Sequence, residues 1–252
     1  MPRLWKTIIP RVKKSFAKRG VVASIFRSVL LPIQLYREHK VAKELARDNS
    51  RSEFDLTYGV NTDGDIGGVT YLSDLEIPSP NWIYGSNYVA IEPERFMAAI
   101  LNLDIDFEDF LFIDLGSGKG RALLLASRFP FKKIIGIEFS RELHVSSERN
   151  IRKYSSPEQK CKSIESVCMD FTEFSLPPEP LVLYLNLPCD GMPLAKTVEN
   201  IHRSLREMPR PIYVVFMSPV DKAFKAVLDG AEFLVKIAEN NEKTPFTVYK
   251  ST

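Results

Sequence analysis

The chain predicts an α/β fold: a doubly wound, mostly parallel seven-stranded sheet with helices on both faces, its last two strands an antiparallel hairpin, preceded by an N-terminal helical extension. Three observations lead there. After residue 110, short β-rich apolar runs alternate with helical segments, the mark of βαβ units in which each helix carries the chain back to begin another parallel strand. The last two runs are joined only by the polar link "ENNEK" at 239–243, which has no room for a crossover helix, so they must be antiparallel. A glycine-dense turn, "DLGSGKG" at 114–120, stands where the first run meets the first helical segment. With 252 residues, 44% hydrophobic and 26% charged, the chain is long and apolar enough for one large domain with a real core, or a domain plus an appendage.

The elements come in order. Residues 1–50 read as helical with breaks at Pro10, Gly20 and Pro32, and Ile25, Phe26, Val29, Leu30 and Ile33 form one apolar stripe at helical spacing. This arm is basic. Residues 1–53 hold 13 Lys/Arg against 4 Asp/Glu, a charge of +9, and the rest holds 21 basic against 28 acidic residues, a charge of −7. Such an arm can dock on the body, lie on an anionic membrane surface or touch an acidic partner. Residues 51–91 read as irregular, because "YGVNTDGDIGG" at 58–68 is turn chemistry and "IPSPNWIYGSNY" at 77–88 adds Pro and aromatics. A loop of that length inside a compact chain reads as a functional lid. "EPERFMAAILNL" at 92–103 reads as a helix, with Pro93 suited to its first turn. Strands are expected at 110–115, 133–139, 164–169, 181–187, 211–217, about 231–237 and 244–251, and helices at 120–129, 141–154, 192–207 and 221–229.

Composition excludes some chemistry. Three cysteines, Cys161, Cys168 and Cys189, form no CxxC pair, and three histidines are too few beside them for a Cys/His zinc site. Cys168 and Cys189 read as small apolar residues rather than nucleophiles, and the low cysteine count fits a reducing compartment. No apolar run reaches the roughly 18 residues needed to span a bilayer. Lys6, Pro10, Arg11, Lys13 and Lys14 interrupt any secretory core, so a cytoplasmic location is expected, with peripheral membrane association through the arm as a variant.

The glycine turn carries most of the functional information. Gly116 and Gly118 allow a sharp bend and a close backbone approach to a ligand, and the helix after it should aim free N–H groups at that ligand. A phosphate-binding P-loop is excluded: Ile113 stands where its first glycine belongs, and Gly120 stands where Ser or Thr should come after Lys119. The dinucleotide fingerprint fits poorly, because the third glycine comes two places after the second and Arg121 occupies its expected position. Lys119 and Arg121 themselves read as a solvated turn. The second strand ends on Glu138, 18 residues after Gly120, where a carboxylate can accept hydrogen bonds from two adjacent hydroxyls. The third ends "SVCMDF" and the fourth "LYLNLPCD". These place Asp170, Phe171, Asn186 and Asp190 at the carboxyl edge of the sheet, where open α/β folds bind ligands.

Taken as a set, the GxGxG turn preceded by Asp114 and the acid at 138 resemble a class I S-adenosyl-L-methionine (SAM) methyltransferase. The resemblance spans about 54–252 and is sharpest from 110 to 190. "FIDLGSGKGRALLLAS", "FPFKKIIGIEFSRELH" and "FDLTYGVNTDG" are similar to a group of bacterial class I enzymes whose acceptors are largely unassigned, and "DLGSGKG" is locally similar to the non-SET histone-lysine methyltransferases. With the basic helical extension read from charge and spacing at 1–53, the resemblance divides the rest into a lid and lead-in helix at 54–109 and a SAM-binding core at 110–252. It implies that Asp114, Gly116, Ser117 and Gly118 line the cofactor, that Glu138 holds its ribose, that Asp170 accepts from the adenine amino group with Phe171 or Met169 flanking the ring, and that Asn186 is a further contact. Asp114 can equally serve only to cap the helix or fix the loop.

Catalytic residues are harder to assign, since methyl transfer from a sulfonium is an in-line displacement that needs alignment rather than a protein nucleophile. Asn186 can orient an amine, Asp190 can take a proton and Tyr88 can wall the site. Base-methylating enzymes often carry Asn/Asp-Pro-Pro-aromatic after the fourth strand, whereas this chain has Asn186-Leu-Pro-Cys. Nucleic acid is therefore not the expected acceptor. A small molecule or a protein amine is. Two other readings stand beside this one: a catalytically inactive SAM-fold binding module acting through its basic arm, and a nicotinamide-dependent oxidoreductase.

Overall fold

A computed structural model describes residues 52–65, 68–186, 189, 192–217, 222–242 and 245–252. The helical arm expected at 1–50 and the candidate Asp190 lie outside the described residues. The rest divides into two compact units. The smaller contains Gly64–Leu75 and Asn87–Val89, and the larger contains the described part of Arg51–Asp63 with Glu76–Ser86 and Ala90–Thr252.

In the larger unit, residues expected to be loop form a first helix, α1 (Glu53–Tyr58). Its ends obey local rules: Ser52 caps it by accepting from the Asp55 amide, and Gly59 leaves it with φ 64°. In the smaller unit, β1 (Val69–Thr70) pairs antiparallel with β2 (Tyr88–Val89), Thr70 opposite Tyr88. The Leu72 amide there donates to the Asn87 side chain at 3.1 Å. Back in the larger unit, α2 (Pro93–Ile100) begins at Pro93 as its sequence requires.

The seven-stranded sheet is the expected one. Its strands are β3 (Leu111–Leu115), β4 (Lys133–Glu138), β5 (Ile164–Cys168), β6 (Leu181–Asn186), β7 (Ile212–Met217), β8 (Leu234–Asn240) and β9 (Phe246–Ser251). Their order is β5-β4-β3-β6-β7-β9-β8. The first five are parallel, and β9 runs antiparallel to both β7 and β8, so the reversed hairpin is present. Helices α3 (Arg121–Ala126), α4 (Arg141–Lys153), α5 (Met192–Glu207) and α6 (Lys222–Asp229) connect them.

Alternation along the central strands splits the core in two. Phe112, Ile134, Val182, Tyr184 and Val215 face one apolar cluster with Phe96 and Ile100 of α2 and Leu123 to Ala126 of α3. Leu111, Ile113, Leu115, Ile137 and Leu183 face the other, with Leu194 and Ile201 of α5 and Leu228 of α6. Strands β6 and β7 read as unbroken apolar runs because both of their faces are covered.

Several boundaries shift from the sequence reading, α2 ending at Ile100 rather than 103 and β8 at Asn240 rather than near 237, and two of the shifts have a visible local cause. Helix α3 stops at Ala126 rather than 129, because the Ser127 hydroxyl donates back to the Leu124 carbonyl at 2.7 Å while the Ser127 carbonyl accepts from the Lys160 and Cys161 amides. Strand β8 starts at Leu234 rather than near 231. Ala231 is spent ending α6, its amide donating to the Leu228 carbonyl, and Phe233 turns to stack on His202 of α5 at 4.6 Å.

Candidate functional site

Because β5, β4, β3 and β6 are adjacent and parallel, their carboxyl ends share one edge. Leu115 pairs with Ile137, and Glu138 with Cys168. The glycine turn rises from that edge with φ of 90° at Gly116, 55° at Gly118 and 87° at Gly120, values that side-chain-bearing residues rarely adopt. The amides of the turn itself are engaged within the protein. Those of Gly116 and Ser117 both donate to the Ile137 carbonyl, and that of Gly120 donates to Ser117. The Gly118 amide donates to Glu138 Oε2 at 2.8 Å. The loop is wound onto β4, so what it offers a ligand is closeness of approach.

Glu138 is the pivot. It is 3% exposed, and its Oε1 accepts from the Ser140 amide at 2.8 Å while Oε2 holds Gly118. Burial pushes its pKa up to about 7, against the pull of its backbone bonds. Asp114 is buried one strand away, and its pKa is driven well above the carboxylate range by burial first and by the Glu138 charge second. Its Oδ1 finds no hydrogen-bond partner among the described residues. Opposite it in register stands Tyr184, whose buried hydroxyl is likewise unpartnered there and whose pKa is raised by burial and then by Asp114. Two carboxyl groups buried with their pKa values raised, one with an orphaned oxygen, make an environment that a cation would relieve.

Small residues make the turn possible on its β4 side. A Cβ on Gly136 would come within 2.6 Å of Leu123 Cδ1 and 2.7 Å of Ser117 Oγ, and one on Gly120 within 2.5 Å of Ser147 Oγ. Ser117 thus turns its hydroxyl toward β4. The glycine-turn motif does not single out Gly136, although a glycine inside a strand is itself a signal of close packing.

Lys119 and Arg121, read from sequence as a solvated turn, are buried. Arg121 is 1% exposed and donates through Nε to Thr62 Oγ1 at 2.5 Å. Its Nη2 reaches Ser52 Oγ at 2.8 Å, Asp63 Oδ1 at 2.9 Å and Asp55 Oδ1 at 3.2 Å. The guanidinium also lies 4.8 Å from the centre of the Phe54 ring. Lys119 Nζ donates to the Asp63 carbonyl at 2.7 Å, and Asn150 bridges the Asn61 backbone to the Lys119 carbonyl. Residues 52–63 are therefore a clasp on the C-terminal end of the glycine turn, where Lys119 and Arg121 stand. The fully buried Asp55 is its anchor, accepting also from Thr62 and Asp63.

Asp170 stands in a different setting. It is half-buried and caps a 3₁₀ turn at Phe171–Glu173 by accepting from the Thr172 amide at 2.9 Å and hydroxyl at 2.8 Å, both on Oδ1. Its Oδ2 accepts from Ser79 Oγ and, at 2.9 Å, from Asn81 Nδ2. Burial raises its pKa, but the bonds from Ser79, Thr172 and Asn81 outweigh that and leave it below the usual carboxylate value. Phe171 packs partly buried against the second apolar cluster. Asn186 ends β6, half-buried, opposite Met217. The edge thus gathers Asp114, the glycine turn, Glu138, Asp170 and Asn186, while Tyr88 belongs to β2 of the smaller unit.

No family model and no curated protein matches the chain. Among solved structures it is similar to an rRNA methylase from Streptococcus thermophilus, at 13% identity and a TM-score of 0.43, covering 65% of this chain and 97% of that one. It is similar to an RNA methyltransferase from Salinibacter ruber in complex with S-adenosyl-L-homocysteine, at 23% identity and a TM-score of 0.39, covering 64% and 88%. It is also similar to a precorrin-6y C5,15-methyltransferase from Geobacter metallireducens, at 14% identity and a TM-score of 0.47, covering 71% and 93%. None of the three is a histone-lysine enzyme.

Proposed function

We propose that this chain is a SAM-dependent methyltransferase acting on a small molecule or a protein amine. One observation carries the reading: in a sheet ordered β5-β4-β3-β6-β7-β9-β8, the acid ending β4 is locked to the glycine turn ending β3 through the Gly118 amide at 2.8 Å. The turn and the acid that a ribose would need are thereby one rigid piece. The residues present fit a sulfonium nucleoside. The orphaned Asp114 Oδ1 and the two carboxyl groups whose charged forms burial penalises favour a cationic ligand over an anionic dinucleotide.

When bound, SAM supplies the electrophilic methyl group. The chain's part is to hold and orient. The Glu138 oxygens accept from the Gly118 and Ser140 amides and keep capacity for more, so ribose hydroxyls can be received without dismantling the loop. Gly116 and Gly118 let the ligand lie against backbone, and Asp114 offers an acceptor to an amino group. Asp170 and Phe171 are assigned to the adenine end and Asn186 to orientation of the acceptor. A bound cation would also favour the ionised form of each buried carboxyl, whose pKa burial has raised.

Calorimetry with SAM, S-adenosyl-L-homocysteine and NAD tests the reading. Micromolar binding of the first two without NAD is expected, with a loss of at least tenfold in Glu138→Ala that retains its fold. NAD binding in their place would overturn it. Transfer of label from methyl-labelled SAM into fractionated cell extract then assigns the acceptor class. Tight cofactor binding with no labelled product in any fraction would mean an inactive binding module.

A further inference from the structure

Residues Glu76–Ser86 belong to the sheet-bearing unit and touch the segments just beyond the carboxyl ends of three of its strands. The Glu76 amide donates to Glu142 Oε1 at 3.1 Å, in the first helical turn after β4. Ser79 and Asn81 donate to Asp170, after β5. Gly85 forms a backbone bridge with Cys189, after β6. In the sheet, β4 and β3 lie between β5 and β6. The anchors at Asp170 and Cys189 therefore flank the strands that carry Glu138 and the glycine turn. The chain between them is stiff. Pro78 and Pro80 fix their own backbone angles, Ser79 caps a 3₁₀ turn at Pro80–Tyr84, and Trp82 within that turn is buried.

Asp170 is fully engaged: each of its two oxygens takes two donors, which fills the acceptor capacity of a carboxylate. The two on Oδ1 come from its own turn, and the two on Oδ2 come from this segment. Any ligand group that hydrogen-bonds to Asp170 must displace one of these donors, and Ser79 and Asn81 are the ones outside its own turn. We infer that Glu76–Ser86 is a latched strap across the ligand crevice, with Ser79 and Asn81 as the latch and Asp170 as the catch, released when a nucleoside takes the same oxygen. The ligand half of this inference rests on the methyltransferase reading; the latch itself does not.

The test is a Ser79→Ala/Asn81→Ala double variant in a Trp5→Phe background, which leaves Trp82 as the single tryptophan. Hydrogen exchange in the free protein reads the latch. The Trp82 and Gly85 amides, bonded to the Ser79 and Trp82 carbonyls, should exchange at least tenfold faster, with β3 and β6 unchanged. Stopped-flow Trp82 fluorescence with S-adenosyl-L-homocysteine reads the cover: association and dissociation should both quicken at least fivefold. Unchanged exchange would eliminate the latch. Faster exchange with unchanged ligand rates would eliminate the cover while leaving the cofactor assignment standing. Failure of the unaltered chain to bind S-adenosyl-L-homocysteine would overturn the cofactor assignment and the catch role together, and the exchange arm would still decide whether the strap is latched.

Discussion

Glu138 and Asp170 lie at the ends of neighbouring strands, carry the same chemical group and sit in opposite surroundings. Glu138 is buried and bonded to backbone amides, and burial lifts its pKa to about 7. Asp170 is half-buried, draws side-chain donors from a distant segment, and its hydrogen bonds outweigh burial to hold its pKa low. Backbone donors cannot leave without unwinding the loop, so Glu138 is a fixed part of the frame. Side-chain donors leave by a rotamer change, so the bonds from Ser79 and Asn81 to Asp170 are exchangeable. One edge thus combines a rigid grip with a replaceable one.

The sharpest way to break the rigid half is through its clasp. Arg121→Ala should cost about 3–5 kcal/mol in urea unfolding, because Asp55 is left buried without its cation. Arg121→Lys should recover less than half, since an ammonium lacks the planar fork that reaches Ser52, Thr62, Asp55 and Asp63 at once. Equal stability of Arg121→Ala and the unaltered chain would remove the clasp.

Next in size is a pH effect with a definite sign. The unfolded Glu138 ionises near the ordinary value of 4.5, whereas in the fold it ionises near 7. Between those values the folded form holds a proton that the unfolded form has lost, so stability falls as pH rises through that window and levels above it. The full loss is about 3 kcal/mol. Glu138→Gln should flatten this slope in urea titrations at pH 5, 6, 7 and 8. Affinity for SAM runs the other way, rising from pH 6 to 8 as the carboxylate forms, and it should be flat in the glutamine variant. Asp170, with a lowered pKa, contributes stability above its unfolded value that is lost only on acidification.

Packing under the turn comes third. Gly136→Ala should cost about 1–3 kcal/mol by thermal unfolding, because the new methyl collides with Leu123 and Ser117. A neutral result would mean that the turn yields, and that the frame around Glu138 is softer than its hydrogen bonds imply.

Legibility in the sequence depends on how far apart the partners lie. Seven strands, their mixed direction and the edge residues could be read because apolar periodicity and glycine spacing are local. Glu138 could be placed because a strand end and a turn 20 residues before it meet by topology alone. The clasp could not: Arg121 and Asp55 are 66 residues apart, and each charge taken alone belongs on a surface. The link from Asn81 to Asp170 spans 89 residues and was hidden for the same reason. Helix α1 was different. Ser52 and Gly59 were visible as its start and stop signals, but six residues give too short a pattern to outweigh the turn chemistry beyond it.

The smallest effect is also the one that best separates the two acids. Asp170→Asn removes the charge and keeps one acceptor oxygen; with that oxygen toward Thr172, its NH2 faces Ser79 and Asn81 and can only donate to the Ser79 hydroxyl or to a turned Asn81 amide, so ordinary neutral bonds replace the charged ones. A cost of about 1 kcal/mol is expected in urea unfolding. The same change at Glu138 alters a group whose charged form burial already penalises, so near pH 5 the glutamine variant should lose little stability while the Asp170 variant loses most of its 1 kcal/mol. On acidification through the carboxylate range the cost of Asp170→Asn should vanish, because the unaltered side chain is then protonated and the amide has nothing left to lose. If both variants instead trace the same pH curve, the contrast between a backbone-held and a side-chain-held carboxylate has no energetic consequence, and the exchangeable half of the edge is as fixed as the other.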